Sequence, residues 1–152
     1  MTYIFDACAL IALFKHEKGA DIIKALLEDA QAGQTHIYMN IINLIEVYYC
    51  FYRILGREKS ALLLEQVYTI PIQFVDTIDQ GIFSETSRLK AHYAIPLGDC
   101  LGLATAIRMG GAFVTADHSD FTEIEKIESV PFFWCQVYQH LFSRLVDLPH
   151  IY

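Results

Sequence analysis

No apolar run in this 152-residue chain reaches the roughly 18–20 uncharged residues that a helix needs to span a bilayer. The longest candidate, Ile41 to Tyr52, contains Glu46 and reads as a core helix. The opening residues MTYIF lack a basic stretch, so no secretory signal is expected. Only four cysteines occur, Cys8, Cys50, Cys100 and Cys135, and none forms a C-x-x-C pair. Each lies among apolar neighbours, which points to reduced, buried thiols and a cytoplasmic compartment, not to a disulfide frame or thiolate metal site. Internal repeats, low-complexity tracts and Pro/Ser-rich linkers are also missing, so residues 1–152 read as a single domain. Positive charge is in short supply: 11 Lys and Arg against 18 Asp and Glu give a formal net charge of −7. Domains that hold nucleic acid by bulk electrostatics are usually basic; here cations and a local basic strip would have to offset the repulsion.

Apolar residues, by contrast, are plentiful, at 54% of the chain with a mean hydropathy of +0.32. In a chain of this length the surplus goes into a dense core and a protein–protein contact. Short β-like runs fall at Thr2–Phe5, His36–Asn40, Ile72–Val75, Ala112–Thr115 and, more weakly, Pro131–Trp134. Helical periodicity marks 8–17, 20–32, 41–55, 58–69 beyond a break at Gly56, 79–93, and 99–109 closed by Gly110-Gly111. The tail from Gln136 to Val146 has the pattern of a final amphipathic helix. Apolar strands alternating with helices predict an α/β fold: a mainly parallel, four- to five-stranded sheet flanked by helices on both faces. In such folds ligands gather at the carboxyl ends of the strands, a test for any candidate site.

Four carboxylates pass that test. Asp6 ends the first strand, Asp117 follows the fourth, Asp99 opens a helix after Pro96 and Gly98, and Glu46 lies one turn into an otherwise apolar helix. Each has a bland explanation as well. Asp6 and Asp99 fit helix N-terminal positions, Asp117 fits a turn, and Glu46 fits a polar face shared with Asn43, Cys50, Arg53 and Arg57. Taken together they are harder to dismiss. If the first and fourth strands are parallel neighbours, Asp6 and Asp117 emerge side by side, and two ionised carboxylates ~4 Å apart repel by roughly 4 kcal/mol at an effective dielectric constant near 20. A protein relieves such a cluster by protonation or by binding a cation, and hard oxygen ligands suit Mg²⁺ or Mn²⁺. A bound divalent cation activates water and offsets charge on a phosphate, which is the chemistry of phosphodiester hydrolysis.

The ordered segments FDACALI, NLIEV, IPLGDCLGLATAI and VTADHSDF resemble the motif set of PIN domains, and more narrowly the toxins of bacterial VapBC toxin–antitoxin pairs. The likeness covers about residues 2–135. It implies a PIN-like three-layer sandwich and metal-dependent endonucleolytic cleavage of RNA. It also implies a small antitoxin as partner, a homodimer, and no membrane association. Asp6 and Asp99 would be the principal ligands of Mg²⁺ or Mn²⁺, with Glu46 and Asp117 completing the cluster and Glu46 orienting or deprotonating the attacking water. Thr115 matches a family hydroxyl near the site, and Asp120 falls where some members carry a further acid. Two residues after the first aspartate the family usually has Ser, Thr or Asn, whereas this chain has Cys8, a weaker donor. Support of Asp6 or of a bound phosphate is therefore expected to be weaker.

Other residues invite roles that simpler readings rival. Arg53 and Arg57 on the Glu46 face suit either an RNA backbone contact or a solvated stripe. His118 reads as solvent-facing, and the aromatic runs around Tyr48–Tyr52 and Phe132–Trp134 read as core or subunit contacts before base stacking. The alternative function is a PIN-like module that binds protein or RNA without cutting it. A haloacid-dehalogenase-type phosphatase requires a second aspartate at the place of Cys8, and the adjacent acidic pair of a receiver domain is not evident.

Overall fold

The computed structural model describes residues 1–136; the expected helix over 136–146 lies essentially outside the described residues. Five strands form one sheet: β1 (Thr2–Phe5), β2 (His36–Asn40), β3 (Gln73–Val75), β4 (Ala112–Thr115) and β5 (Phe132–Trp134). The order is β3-β2-β1-β4-β5 and every pairing is parallel, with Phe5 opposite Met39 on one side and Val114 on the other. Six helices connect the strands: α1 (Ala7–Phe14), α2 (Ala20–Gln31), α3 (Ile41–Val67), α4 (Gln80–His92), α5 (Leu97–Met109) and α6 (His118–Glu125).

The two-residue period of the strands sorts the core into two layers. Tyr3, Phe5, Ile37, Met39 and Val114 pack with Leu10, Ile23, Leu44 and Val47 of α1, α2 and α3. Ile4 and Phe113 point the other way, onto Leu89, Leu103, Phe121 and Ile124 of α4, α5 and α6. This is the three-layer α/β sandwich expected from the sequence, with near-continuous apolar strands because both faces are covered. No helix among the described residues is long and apolar enough to cross a membrane.

Local chemistry sets the helix boundaries. Asn40 caps α3 through Ile42 N–H (3.0 Å), and Asp79 caps α4 through Ile82 N–H (2.7 Å). Gly56 takes φ 76°, which breaks α3 where the sequence places a break. Helix α1, expected over 8–17, closes at Phe14, and two further boundaries differ from expectation. Helix α5 starts at Leu97, so Asp99 sits in its first turn instead of at its start. Helix α6 occupies a stretch that the sequence reading leaves as a turn: Asp117 caps it, accepting from Ser119 N–H and Asp120 N–H.

The chain leaves β1 for β2 on one side and reaches β4 on the other, so the direction of winding switches between β1 and β4. A doubly wound sheet opens its ligand crevice at the carboxyl ends of such a pair.

Candidate metal centre

Asp6 follows β1 and Asp117 follows β4 by two residues, which puts them at that switch point. Asp6 is almost wholly buried, at 3% exposure, and its carboxylate accepts four hydrogen bonds. Oδ1 accepts from Ala7 N–H (2.7 Å) and the Asn43 amide (3.2 Å); Oδ2 accepts from the Cys8 thiol and the Thr115 hydroxyl, both at 3.0 Å. Burial lifts the Asp6 pKa, outweighing the bonds from Cys8, Ala7 N–H and Thr115 that favour the charged form, with the Asp117 charge adding to the rise.

Cys8 donates to Asp6 and accepts from Ala116 N–H at 3.0 Å, while Thr115 accepts from Asp117 N–H at 3.1 Å. The thiol thus takes the place of a hydroxyl without leaving Asp6 short of a donor. Burial, reinforced by the Asp6 charge, pushes the Cys8 pKa well above its ordinary value, so the group stays a thiol and is no nucleophile.

Asp99 is 8% exposed, in the first turn of α5. Burial and then the charges of Asp6, Glu46, Asp120 and Asp117 raise its pKa to about 8. Glu46, on the α3 face beside α5, is half-buried; burial, Asp6 and Asp117 raise its pKa too. Its Oε2 lies 3.3 Å from the point where a side chain at Gly98 would begin. Electrostatically the five acids therefore form one cluster: Asp6, Glu46, Asp117 and Asp120 all act on Asp99.

Carboxylate oxygens of Asp99, Asp117 and Asp120 lie within 4.8 Å of one another. In an octahedral shell with Mg–O near 2.1 Å, adjacent oxygens are ~3 Å apart and opposite ones ~4.2 Å, so slight rotation of these side chains closes the set. The donor chemistry fits a hard divalent cation, which would offset the burial and repulsion that hold Asp99 above the usual carboxylate range.

The residues singled out from sequence fall as follows. Asp6, Cys8 and Thr115 are hydrogen-bonded to one another, Asp99, Asp117 and Asp120 bring oxygens within 4.8 Å of one another, and Asp6 and Glu46 act on that group through their charges. Arg53 is exposed on α3, its guanidinium 4.9 Å from the centre of the Tyr49 ring. His118 does not simply face solvent: its ring stacks on Trp134 (centroids 4.0 Å apart) and Nε2 meets the Gln136 carbonyl at 2.8 Å. Asn43, read from sequence only as part of a polar face, is fully buried and bonded to Asp6; its position three residues before Glu46 was the available signal.

Among solved structures, the fold is similar to VapBC2 from Rickettsia felis bound to a promoter DNA fragment (TM-score 0.70, 19% identity, 88% of this chain and 98% of that one). DNA-bound VapBC from Salmonella typhimurium gives a TM-score of 0.68 at 16% identity, covering 89% and 98%. VapBC-1 from nontypeable Haemophilus influenzae gives 0.66 at 18% identity, covering 89% and 98%. No curated protein matches by sequence. The sequence matches the PIN domain over residues 3–127, most of its length, and the chain belongs to the PIN domain family.

Proposed function

We propose that this chain is a Mg²⁺- or Mn²⁺-dependent endoribonuclease and the toxin of a toxin–antitoxin pair. The observation that carries the reading is the approach of Asp99, Asp117 and Asp120 within 4.8 Å at the β1/β4 switch point, where burial and then the charges of Asp6, Glu46, Asp120 and Asp117 raise Asp99 to about 8. Membership of the PIN family supports nuclease chemistry, and the likeness in fold to chains of VapBC complexes supports an antitoxin partner.

In this reading Asp6, Asp99, Asp117 and Glu46 hold the cation, with Asp120 beside them. When bound, the cation would supply Lewis-acid activation of water and charge neutralisation at the phosphate. The protein does the rest by placement. Thr115, Cys8, Asn43 and Ala7 N–H fix Asp6 in one orientation. Glu46, half-buried and raised in pKa, orients the attacking water and accepts its proton at a carboxylate oxygen. Arg53, exposed on α3, would meet the RNA backbone and counter the net charge of −7.

Exposed apolar side chains support the protein partners. Ile45, Tyr49 and Tyr52 line α3, and Ile78, Phe83 and Leu97 rim a groove between α4 and α5. We assign these faces to the antitoxin and to a second copy of the chain, in the cytoplasm.

Incubation of the purified chain with structured RNAs and Mn²⁺ tests the reading, with an Asp6→Asn, Asp99→Asn double variant and EDTA as controls. Cleavage by the parent alone, abolished by EDTA, is expected. Equal cleavage by parent and double variant would refute it; Mn²⁺ binding and RNA binding without cleavage would favour the non-catalytic module. A small reading frame abutting this one, whose product suppresses cleavage, is the expected sign of the antitoxin.

A further inference from the structure

The acidic centre is assembled from elements far apart in the chain, and one uncharged side chain links two of its members. Asn43 is fully buried on α3. Its Nδ2 donates to Asp6 Oδ1 and to the Gly98 carbonyl, both at 3.2 Å. Gly98 immediately precedes Asp99. The amide therefore ties the carboxylate at the end of β1 to the first turn of α5, which carries the other principal acid. Both N–H groups are in use, and turning the amide over would set its oxygen against two acceptors, so the orientation is fixed.

Helix α5 is shaped to receive it. A Cβ at Gly102 would lie 3.1 Å from Asn43 Oδ1 and 3.4 Å from Nδ2, and a Cβ at Gly98 would lie 3.3 Å from Glu46 Oε2. Gly98 and Gly102 are one helical turn apart, as are Asn43 and Glu46, so a polar face of α3 lies against a glycine face of α5. Asn43 Oδ1 has no hydrogen-bond partner among the described residues. A buried acceptor left unpaired costs about 1–3 kcal/mol. An arrangement selected for packing alone would fill this position with an apolar side chain of similar shape.

We propose that Asn43 is a positioning residue of the acidic centre: its amide sets the gap between Asp6 and Asp99, and with it the affinity of the cluster for a divalent cation. The proposal rests on the cation-binding reading above and adds a residue that touches neither cation nor substrate. Groups that orient metal ligands typically govern affinity by 10–100-fold. Asn43 acts on one ligand directly and on the backbone beside a second.

The test is Mn²⁺ binding, read by the electron paramagnetic resonance of the free ion and by the Mn²⁺-induced rise in Tm over an EDTA baseline. Wild type is compared with Asn43→Ala, with Asn43→Leu, which fills the volume but donates nothing, and with Gly102→Ala, whose new Cβ crowds both the amide and the Phe113 ring. All three variants are expected to bind Mn²⁺ at least tenfold more weakly and to show a smaller Mn²⁺-induced rise in Tm, with far-UV circular dichroism intact. A purely structural role would lower the EDTA baseline and leave the Mn²⁺-induced rise unchanged. A folded Asn43→Leu binding Mn²⁺ within twofold of wild type overturns the proposal, as does loss of the fold by all three variants. If wild type itself binds no Mn²⁺, the cation reading fails first, a result separable from failure at Asn43 alone.

Discussion

Replacing Asp99 by asparagine is expected to stabilise the cation-free protein, although the residue is buried at the centre of the site. Burial and four neighbouring carboxylates raise Asp99 from 3.8 to about 8. A folded-state pKa above the unfolded value means that the contribution of Asp99 is fully present below pH ~4 and is lost progressively as pH climbs through ~8. At 1.36 kcal/mol per unit the loss at pH 8 would approach ~5 kcal/mol. Solvent screening at a cleft that is partly open reduces this to about 2 kcal/mol. Asparagine forgoes the attraction between a carboxylate and the N-terminus of α5, about 0.5 kcal/mol. The net gain, about 1.5 kcal/mol, corresponds to a Tm increase of about 3–6 °C for a domain of this size. Thermal melts followed by circular dichroism in EDTA should show Asp99→Asn above wild type at pH 8 and nearly level with it at pH 5. Mn²⁺ at 100 times its Kd should add ~2.7 kcal/mol to wild type and little to the variant, reversing the order. An Asp99→Asn protein that melts lower than wild type in EDTA at pH 8, or whose advantage does not change with pH, would refute the reasoning.

Asp6→Asn should act in the opposite sense, because four donors converge on that carboxylate and an asparagine NH₂ must face two of them; urea unfolding should show a loss of about 2–3 kcal/mol. Cys8→Ser keeps a donor to Asp6 and should bind Mn²⁺ at least as well as wild type, while native Cys8 should resist iodoacetamide at pH 8 by mass spectrometry until the chain is unfolded. Arg88→Ala removes the paired contacts to Glu128 (2.9 and 2.8 Å) on the opposite flank of the fold; a Tm decrease of about 2–4 °C with unchanged RNA cleavage is expected.

Strand runs and the strand- or helix-end places of Asp6, Asp99 and Asp117 were legible because their signals are local. An apolar run ending in aspartate marks β1 and Asp6, and AFVT does the same for β4. Helix α6 was missed because TADHSDF carries turn-forming residues. The compensating signal was Asp117 three residues before Asp120, followed by apolar Phe121 and Ile124 on one helical face. Missing that helix also obscured Asp120, which its first turn delivers to Asp99 and Asp117. His118 was read as solvent-facing because its stacking partner, Trp134, comes from β5, the weakest strand signal in the sequence. Asn43 was hidden for a different reason: its partners stand 37 and 55 residues away in the chain, and no local pattern encodes a bond across that separation. Cys8 shows the converse, since substitution of a hydroxyl residue by a thiol looks like a weakness in sequence and is absorbed by Thr115 and Ala116 in the fold.

Crystals of the chain grown or soaked with Mn²⁺ and measured at the manganese absorption edge test the central claim most directly. An anomalous peak within ~2.2 Å of an Asp99 oxygen and of at least one further carboxylate among Asp6, Glu46, Asp117 and Asp120 is predicted. Full Mn²⁺ occupancy at some other surface, with these five side chains unbridged, would contradict it.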